Sequence, residues 1–301
     1  MIARRTDLAV EARELWEESA GETTRLPGVE ARDYETRGCP VTAVRILSDE
    51  GARALGKPAG AYVTVELPRL IRGEPSAFAD AARALAQELR PLLPLAPAAA
   101  VLVVGLGNRD ITPDAVGPLA VEHVMVTRHL VDRLPDLFGH LRPVAAFAPG
   151  VLGSTGMESA DIIRGVIAEA RPDAVILVDA LASRRLRRVC STVQFADTGI
   201  VPGSGVGNAR AALNRETLGL PAVAVGVPTV VDTATLCADL LEEAGAAAVD
   251  PAALAPHGGG MIVTPKEIDA RVRELSKAVG YAINLCLQED LSVEDVMDFL
   301  S

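Results

Sequence analysis

Two aspartates follow the two most strand-like runs of the chain. Asp114 comes a few residues after VLVVG (101–105), within GLGNRDITPD, and Asp179 directly follows AVILV (174–178). If those runs are parallel strands of one sheet, both carboxylates reach its carboxyl edge, where open α/β sheets bind their ligands. Two acids in one cleft divide general acid and general base work between them, which is the chemistry of hydrolysis by water. Each acid also has an ordinary reading. Thr112 fits a helix N-cap, Pro113 the first helical position and Asp114 the first turn, where an acid stabilises a helix by about 0.3 to 1 kcal/mol. Asp179 leaves a buried strand as a charge, and a salt bridge to Arg184 or Arg185 would answer it equally well. If the two acids meet, like charge raises one pKa and the pair holds one proton between them; which acid would act as the base is not legible.

Other motifs carry less. GLGN (105–108), with Gly107 and Asn108, makes a tight turn that suits a phosphate, but a dinucleotide fingerprint needs glycine where Asp110 stands. Asp197-Thr198-Gly199 matches the tripeptide of pepsin-like proteases, yet it occurs once and precedes PGSGVGN (202–208), so it reads as a turn. That glycine-rich loop, Gly205 included, either offers backbone N–H groups to a substrate or oxyanion, or is a plain connection. No GxSxG or HExxH is present, because Leu152 and Pro202 stand where a serine elbow needs glycine before Ser154 and Ser204. His123 and His129 are six apart and fall on different helix faces, and His257 is unassigned.

The elements that must position these residues follow from periodicity. The 301 residues, 49% hydrophobic, are enough for a large core. Residues 8–18 suit an amphipathic helix, 41–47 and 62–68 an antiparallel hairpin, and 76–93 a helix capped by Ser76. From residue 99 the pattern alternates: strand 101–104, helix 113–130, apolar stretch 144–148, helix 158–170, strands 174–178, 190–195 and 222–227, then helix 232–244. A loop at 244–260 and helices 265–287 and 292–300 close the chain. The expected fold is therefore α/β, a mainly parallel sheet flanked by helices with an added N-terminal β-hairpin region. A net charge of −11 and the lack of a basic patch argue against nucleic-acid binding. Four scattered cysteines predict buried thiols in a reducing compartment. The N-terminus lacks a signal-peptide core, and prolines at 91, 94 and 97 break the one uncharged stretch, so a soluble protein with no membrane partner is expected.

The ordered motifs RTDLAVEA (5–12), VVGLGN (103–108), TPDAVGP (112–118), DALASR (179–184), DTGIVPGSGVGN (197–208), LGLPAVAVGVPTVVD (218–232) and MIVTPKEID (261–269) resemble the germination protease family of spore-forming bacteria. The resemblance spans nearly the whole chain. It implies a fold similar to the hydrogenase maturation proteases and an endopeptidase that degrades small acid-soluble spore proteins when spores germinate. Asp114 and Asp179 would be its catalytic pair. It also implies a cytoplasmic homotetramer in the forespore and spore core, made as a zymogen that cuts itself between Asp7 and Leu8. Residues 1–7 would then be a prosegment and 8–301 a single peptidase domain with its core at about 99–290. Gly107, Asn108, Arg184 and Gly205 are the further candidates to touch substrate, and no metal or other cofactor is expected. The alternatives are a metal-recognising maturation protease, which needs a histidine beside the acids, and a non-catalytic module binding anions or small molecules.

Overall fold

The computed structural model of the chain describes residues 5–20, 26–246, 249–250, 253–254 and 260–301. Through them runs a nine-stranded sheet: β1 (Val29–Thr36), β2 (Cys39–Ile46), β3 (Gly60–Glu66), β4 (Val101–Gly105), β5 (Val144–Phe147), β6 (Ala174–Ser183), β7 (Thr192–Ala196), β8 (Ala222–Asp232) and β9 (Ile262–Val263). Its spatial order is β1-β2-β3-β7-β8-β6-β4-β5, with β9 beside the end of β8. Strands β8, β6, β4 and β5 are mutually parallel, whereas β1, β2, β3 and β7 continue the sheet antiparallel.

The α/β class is as expected, and the sheet is mixed. The βα alternation governs one half only, because β7 pairs antiparallel with both β8 and β3. An apolar run marks a buried strand and says nothing of its direction. Strand β1 escapes a sequence reading because it forms the polar edge, VEARDYET, with most side chains exposed. The strands at 41–47 and 62–68 do pair, as β2 and β3, around an intervening helix.

The main helices are α1 (Ala9–Ala20), α2 (Asp49–Leu55), α3 (Ala77–Leu89), α4 (Val116–Val121), α5 (Ser159–Ala170), α6 (Thr233–Glu243), α7 (Ile268–Leu287) and α8 (Val293–Leu300). Alternate residues of β4 and β6 face opposite cores, so both faces are apolar. Val101, Val103, Ile176 and Val178 meet α3, α4 and α7 on one face, while Leu102, Val104, Val175 and Leu177 meet α5 on the other. Helix α1 lies on this second face beside α2, over Val44, Ile46, Tyr62 and Ala196.

The helix expected at 113–130 is instead a 3₁₀ turn (Thr112–Asp114), then α4, then a separate helix at Arg128–Arg133. Gly117 and Pro118 explain the first break, between the 3₁₀ turn and α4: Pro118 has no N–H for the Asp114 carbonyl, and Gly117 is needed where the chain grazes the sheet. A Cβ on Gly117 would lie 2.2 Å from the Leu106 carbonyl, and one on Gly105 would lie 2.2 Å from the Gly117 carbonyl. Cys39, Cys190 and Cys286 are buried thiols, but Cys237 is exposed on α6. Part of the 244–260 loop, with His257, lies outside the described residues.

Candidate active site

The connection from β4 to β5 passes over one face through α4, and the return from β5 to β6 uses α5 on the other. Strand order therefore reverses between β4 and β6, and a crevice opens at their carboxyl ends. Strand β4 ends at Gly105, opposite Val178 of β6, and β6 runs on to Ser183. Asp179 is thus the first residue of β6 with no β4 neighbour, on the α5 face after Val175 and Leu177.

The loop leaving β4 brings Asp114 to the same place. Leu106 N–H bonds the Val178 carbonyl at 2.7 Å, and Gly107 then takes φ +108°, where a Cβ would strike the Asp114 carbonyl. Asn108 N–H donates to Asp114 Oδ2 at 2.8 Å. The Thr229 hydroxyl donates to the Pro113 carbonyl at 2.6 Å and ties the turn to β8. Asp114 is not a helix-capping acid: neither neighbouring helix start has a side-chain cap, and its carboxylate holds the Asn108 amide instead. Gly107, Asn108, Asp114 and Asp179 all line one cavity of about 430 Å³.

The salt bridges that would have explained Asp179 are absent. Arg184 has its side chain fully buried against Asp239 and Glu18, and Arg185 bonds Glu18 and Glu243. Asp179, 4% exposed, accepts instead from the Ala180 N–H at 2.9 Å. Burial raises its carboxyl well above the ordinary carboxylate range, the Asp114 charge raises it further, the Ala180 N–H pulls the other way, and the Asp7 charge adds a smaller upward push. Burial also raises Asp114, opposed by the hydrogen bond from Asn108.

Asp7 comes to this place from the far end of the chain. Its N–H bonds the Ala182 carbonyl at 2.9 Å, and its carboxylate accepts from Ala182 N–H at 2.8 Å and from the Ser204 hydroxyl at 2.9 Å. Gly205 packs against that carboxylate so closely that a Cβ would sit 2.0 Å from Asp7 Oδ2. Leu8 is fully buried with Val10, Leu181 and Ile200. Residues 5–7 border a second cavity of about 1120 Å³, and Leu181 forms part of the wall of both. In the loop after β7, the N–H groups of Ser204, Gly207 and Asn208 bond within the loop, so its contact with Asp7 runs through a hydroxyl and a close glycine. The Asp197 carboxylate accepts from Ala61 N–H at 2.8 Å and joins β7 to β3 as a turn residue.

Of the residues singled out in the sequence, the structure gathers Gly107, Asn108, Asp114 and Asp179 in one cavity and sets Asp7, Leu8 and Gly205 beside it. Arg184 points away into an ion-pair cluster. Sequence reasoning passes over Ala182 and Gln194, and weighs Ser204 only as a nucleophile, which it rejects. Only Gln194 carries a signal there, as a long polar side chain inside the buried strand TVQFA. Among the described residues no three His, Cys, Asp or Glu side chains are grouped to hold a metal ion, and no helix is long and apolar enough to cross a membrane.

The family model described as germination protease matches residues 9–244. Curated relatives named germination protease include one from Clostridium tetani, 41% identical over 99% of this chain and 99% of the relative. Another, from Caldanaerobacter subterraneus subsp. tengcongensis, is 41% identical over 100% of this chain and 99% of its own length. A third, from Bacillus cytotoxicus, is 36% identical over 97% and 96%. Among solved structures, the NiFe hydrogenase maturation protease HycI from Thermococcus kodakarensis is similar over 62% of this chain and 92% of its own, with 19% identity and a TM-score of 0.34.

Proposed function

This chain belongs to the germination protease family, and from that premise we propose that its peptidase activity resides in Asp114 and Asp179, which hydrolyse a peptide bond with water. The observation that carries this reading is the shared cavity at the β4 and β6 ends, where burial and like charge favour the protonated form of the Asp179 carboxyl. The environments then divide the roles. Asp114 is the more exposed and less perturbed acid, so it takes the proton from water; Asp179 donates its proton to the departing amine. Gly107 and Asn108 aim Asp114 at the cavity. Arg184, fully buried among acids, orders the β6 end and does not touch substrate.

The substrates on this reading are small acid-soluble spore proteins, cut after an acid that precedes an apolar residue and alanine. The sequence Asp7-Leu8-Ala9 has that pattern, and its docking supports self-cleavage between Asp7 and Leu8. The Asp7 carboxylate sits in a polar cradle of Ala182 N–H, Ser204 hydroxyl and Gly205, and Leu8 fills an apolar pocket. Residues 1–7 are accordingly the prosegment and 8–301 one peptidase domain, whose strands among the described residues all belong to one sheet. The active form is a cytoplasmic homotetramer of the forespore and spore core; light scattering that reads a single chain would contradict the assembly.

The test is incubation of the purified chain with a peptide containing Glu-Ile-Ala, with fragments weighed by mass spectrometry. A cut between Glu and Ile is expected, with no cut by Asp114→Asn or Asp179→Asn. An active Asp114→Asn protein would sink the assignment.

A further inference from the structure

Gln194 lies on β7 in the same transverse row of the sheet as Asp179. Asp179 is paired with Gly226 of β8, and Gly226 with Gln194. Two strand spacings separate them, about 10 Å between backbones. All three lie on the α1 and α5 face, and the middle position has no side chain. A Cβ on Gly226 would come within 2.3 Å of Leu181, which leans over the gap. The row is therefore a trough filled by the Leu181 side chain, with Asp179 on one bank, in the smaller cavity, and Gln194 on the other, in the larger.

The chain's own residues 7–9 lie against the Gln194 bank. Gln194 Nε2 donates to the Asp7 carbonyl at 3.1 Å, and Gln194 Oε1 accepts from Ala9 N–H at 2.7 Å. The orientation of the amide is fixed by its partners, since Ala9 N–H can only donate and the Asp7 carbonyl can only accept. The two backbone groups flank residue 8 and are those that a neighbouring parallel strand would engage. Gln194 thus reads main chain, whatever the side chains, while the other edge of the segment is held by Ala182. At 6% exposure its amide is shielded from water, which strengthens a hydrogen bond to developing charge.

We infer that the Gln194 side-chain amide is the electrophilic clamp of the peptide-binding trough, gripping the carbonyl that is attacked and the N–H one residue beyond the scissile bond. The inference rests on the assignment of Asp114 and Asp179 and on cleavage after Asp7. In the step it serves, water oxygen bonds the Asp7 carbonyl carbon while Asp114 takes a water proton. The carbonyl electron pair moves onto an oxygen that Gln194 Nε2–H holds. The pair then returns as the bond to Leu8 nitrogen breaks, and that nitrogen leaves with the proton of Asp179. One water is consumed, and a carboxyl and an amine result. Other peptides that enter the trough meet the same clamp.

The test follows self-cleavage of the full chain by intact mass and cleavage of a peptide carrying residues 2–14 of this sequence. Gln194→Ala, which loses donor and acceptor, is expected to lower the cleavage rate about 10²- to 10³-fold, the usual effect of removing one oxyanion donor. Gln194→Glu keeps shape and acceptor, so it guards against misfolding in the alanine variant. Its carboxylate lacks a donor and its carboxyl has one, so its rate relative to wild type at the same pH should climb as pH falls. The charged groups that line the cavity with this position, Arg5, Asp7, Glu18, Arg53, Lys57 and Asp250, are the same in both proteins, as is Asp179 across Leu181. Rates within about twofold of wild type for both variants, with Asp114→Asn inactive, would overturn the clamp and leave the aspartate pair standing. A wild-type chain that cuts neither itself nor the peptide would overturn both.

Discussion

A carboxyl group placed among apolar strands disfavours the fold whenever it is charged, and Asp179 carries this conflict. Its folded pKa lies above its unfolded one, so the folded chain holds a proton that the unfolded chain has already released. Stability linked to that proton is fully present below the unfolded pKa and is lost as pH rises through the folded value. Asp179→Asn cannot ionise. It should melt higher than wild type at neutral pH, with the gap closing toward acid pH, while cleavage disappears. Equal melting temperatures of the two proteins at neutral pH would contradict a buried, protonated Asp179. The same substitution at Asp114 should change melting less, because that acid is half-exposed and bonded to Asn108. A gain in stability that accompanies a loss of activity is the mark of an acid kept for chemistry.

The turn at the end of β6 depends on α1 and α6. Glu11, fully buried in α1, accepts from the N–H groups of Arg184 and Arg185 at 2.6 and 3.0 Å, from the Thr6 hydroxyl, and from Arg188. Arg184 in turn pairs with Asp239 of α6 at 2.9 Å. Removing one partner from such a buried pair strands the other charge. Arg184→Ala should therefore lower stability by about 3 kcal/mol or more, read as a shifted denaturant midpoint, with KM for the peptide unchanged in whatever protein remains folded. A raised KM at full stability would make Arg184 a substrate contact after all. Sequence alone makes this cluster ambiguous, since DALASR places Arg184 close to Asp179 and hides that its partners lie 55 and 166 residues away. Strands β4, β6 and β8 are legible as unbroken apolar runs because they are covered on both faces. The polar edge β1, the reversed β7 and the interrupted helix after Asp114 are not, since each depends on what the segment packs against. Both catalytic candidates were legible as acids beside strands; Gln194 was not, because its bond to Asp7 spans 187 positions.

Across the whole molecule, the parallel half of the sheet supplies the acids and the antiparallel half supplies the opposite wall of the trough. The N-terminal segment is strapped between them. Arg5 reaches Asp232 at the end of β8, Thr6 bonds Glu11, Asp7 enters the cradle, and Leu8 closes the apolar pocket. On the proposed reading the segment lies where a substrate would lie, and a short strap there both blocks the site and is presented to it. Its release would free the trough for other chains with an acid before the cut. The most direct measurement is intact mass spectrometry of the full-length chain over time, from acid to neutral pH, for wild type and for Asp114→Asn and Asp179→Asn. The account predicts that wild type loses residues 1–7 as a single step while both variants keep their full mass. A variant that sheds the same residues at the wild-type rate would contradict it.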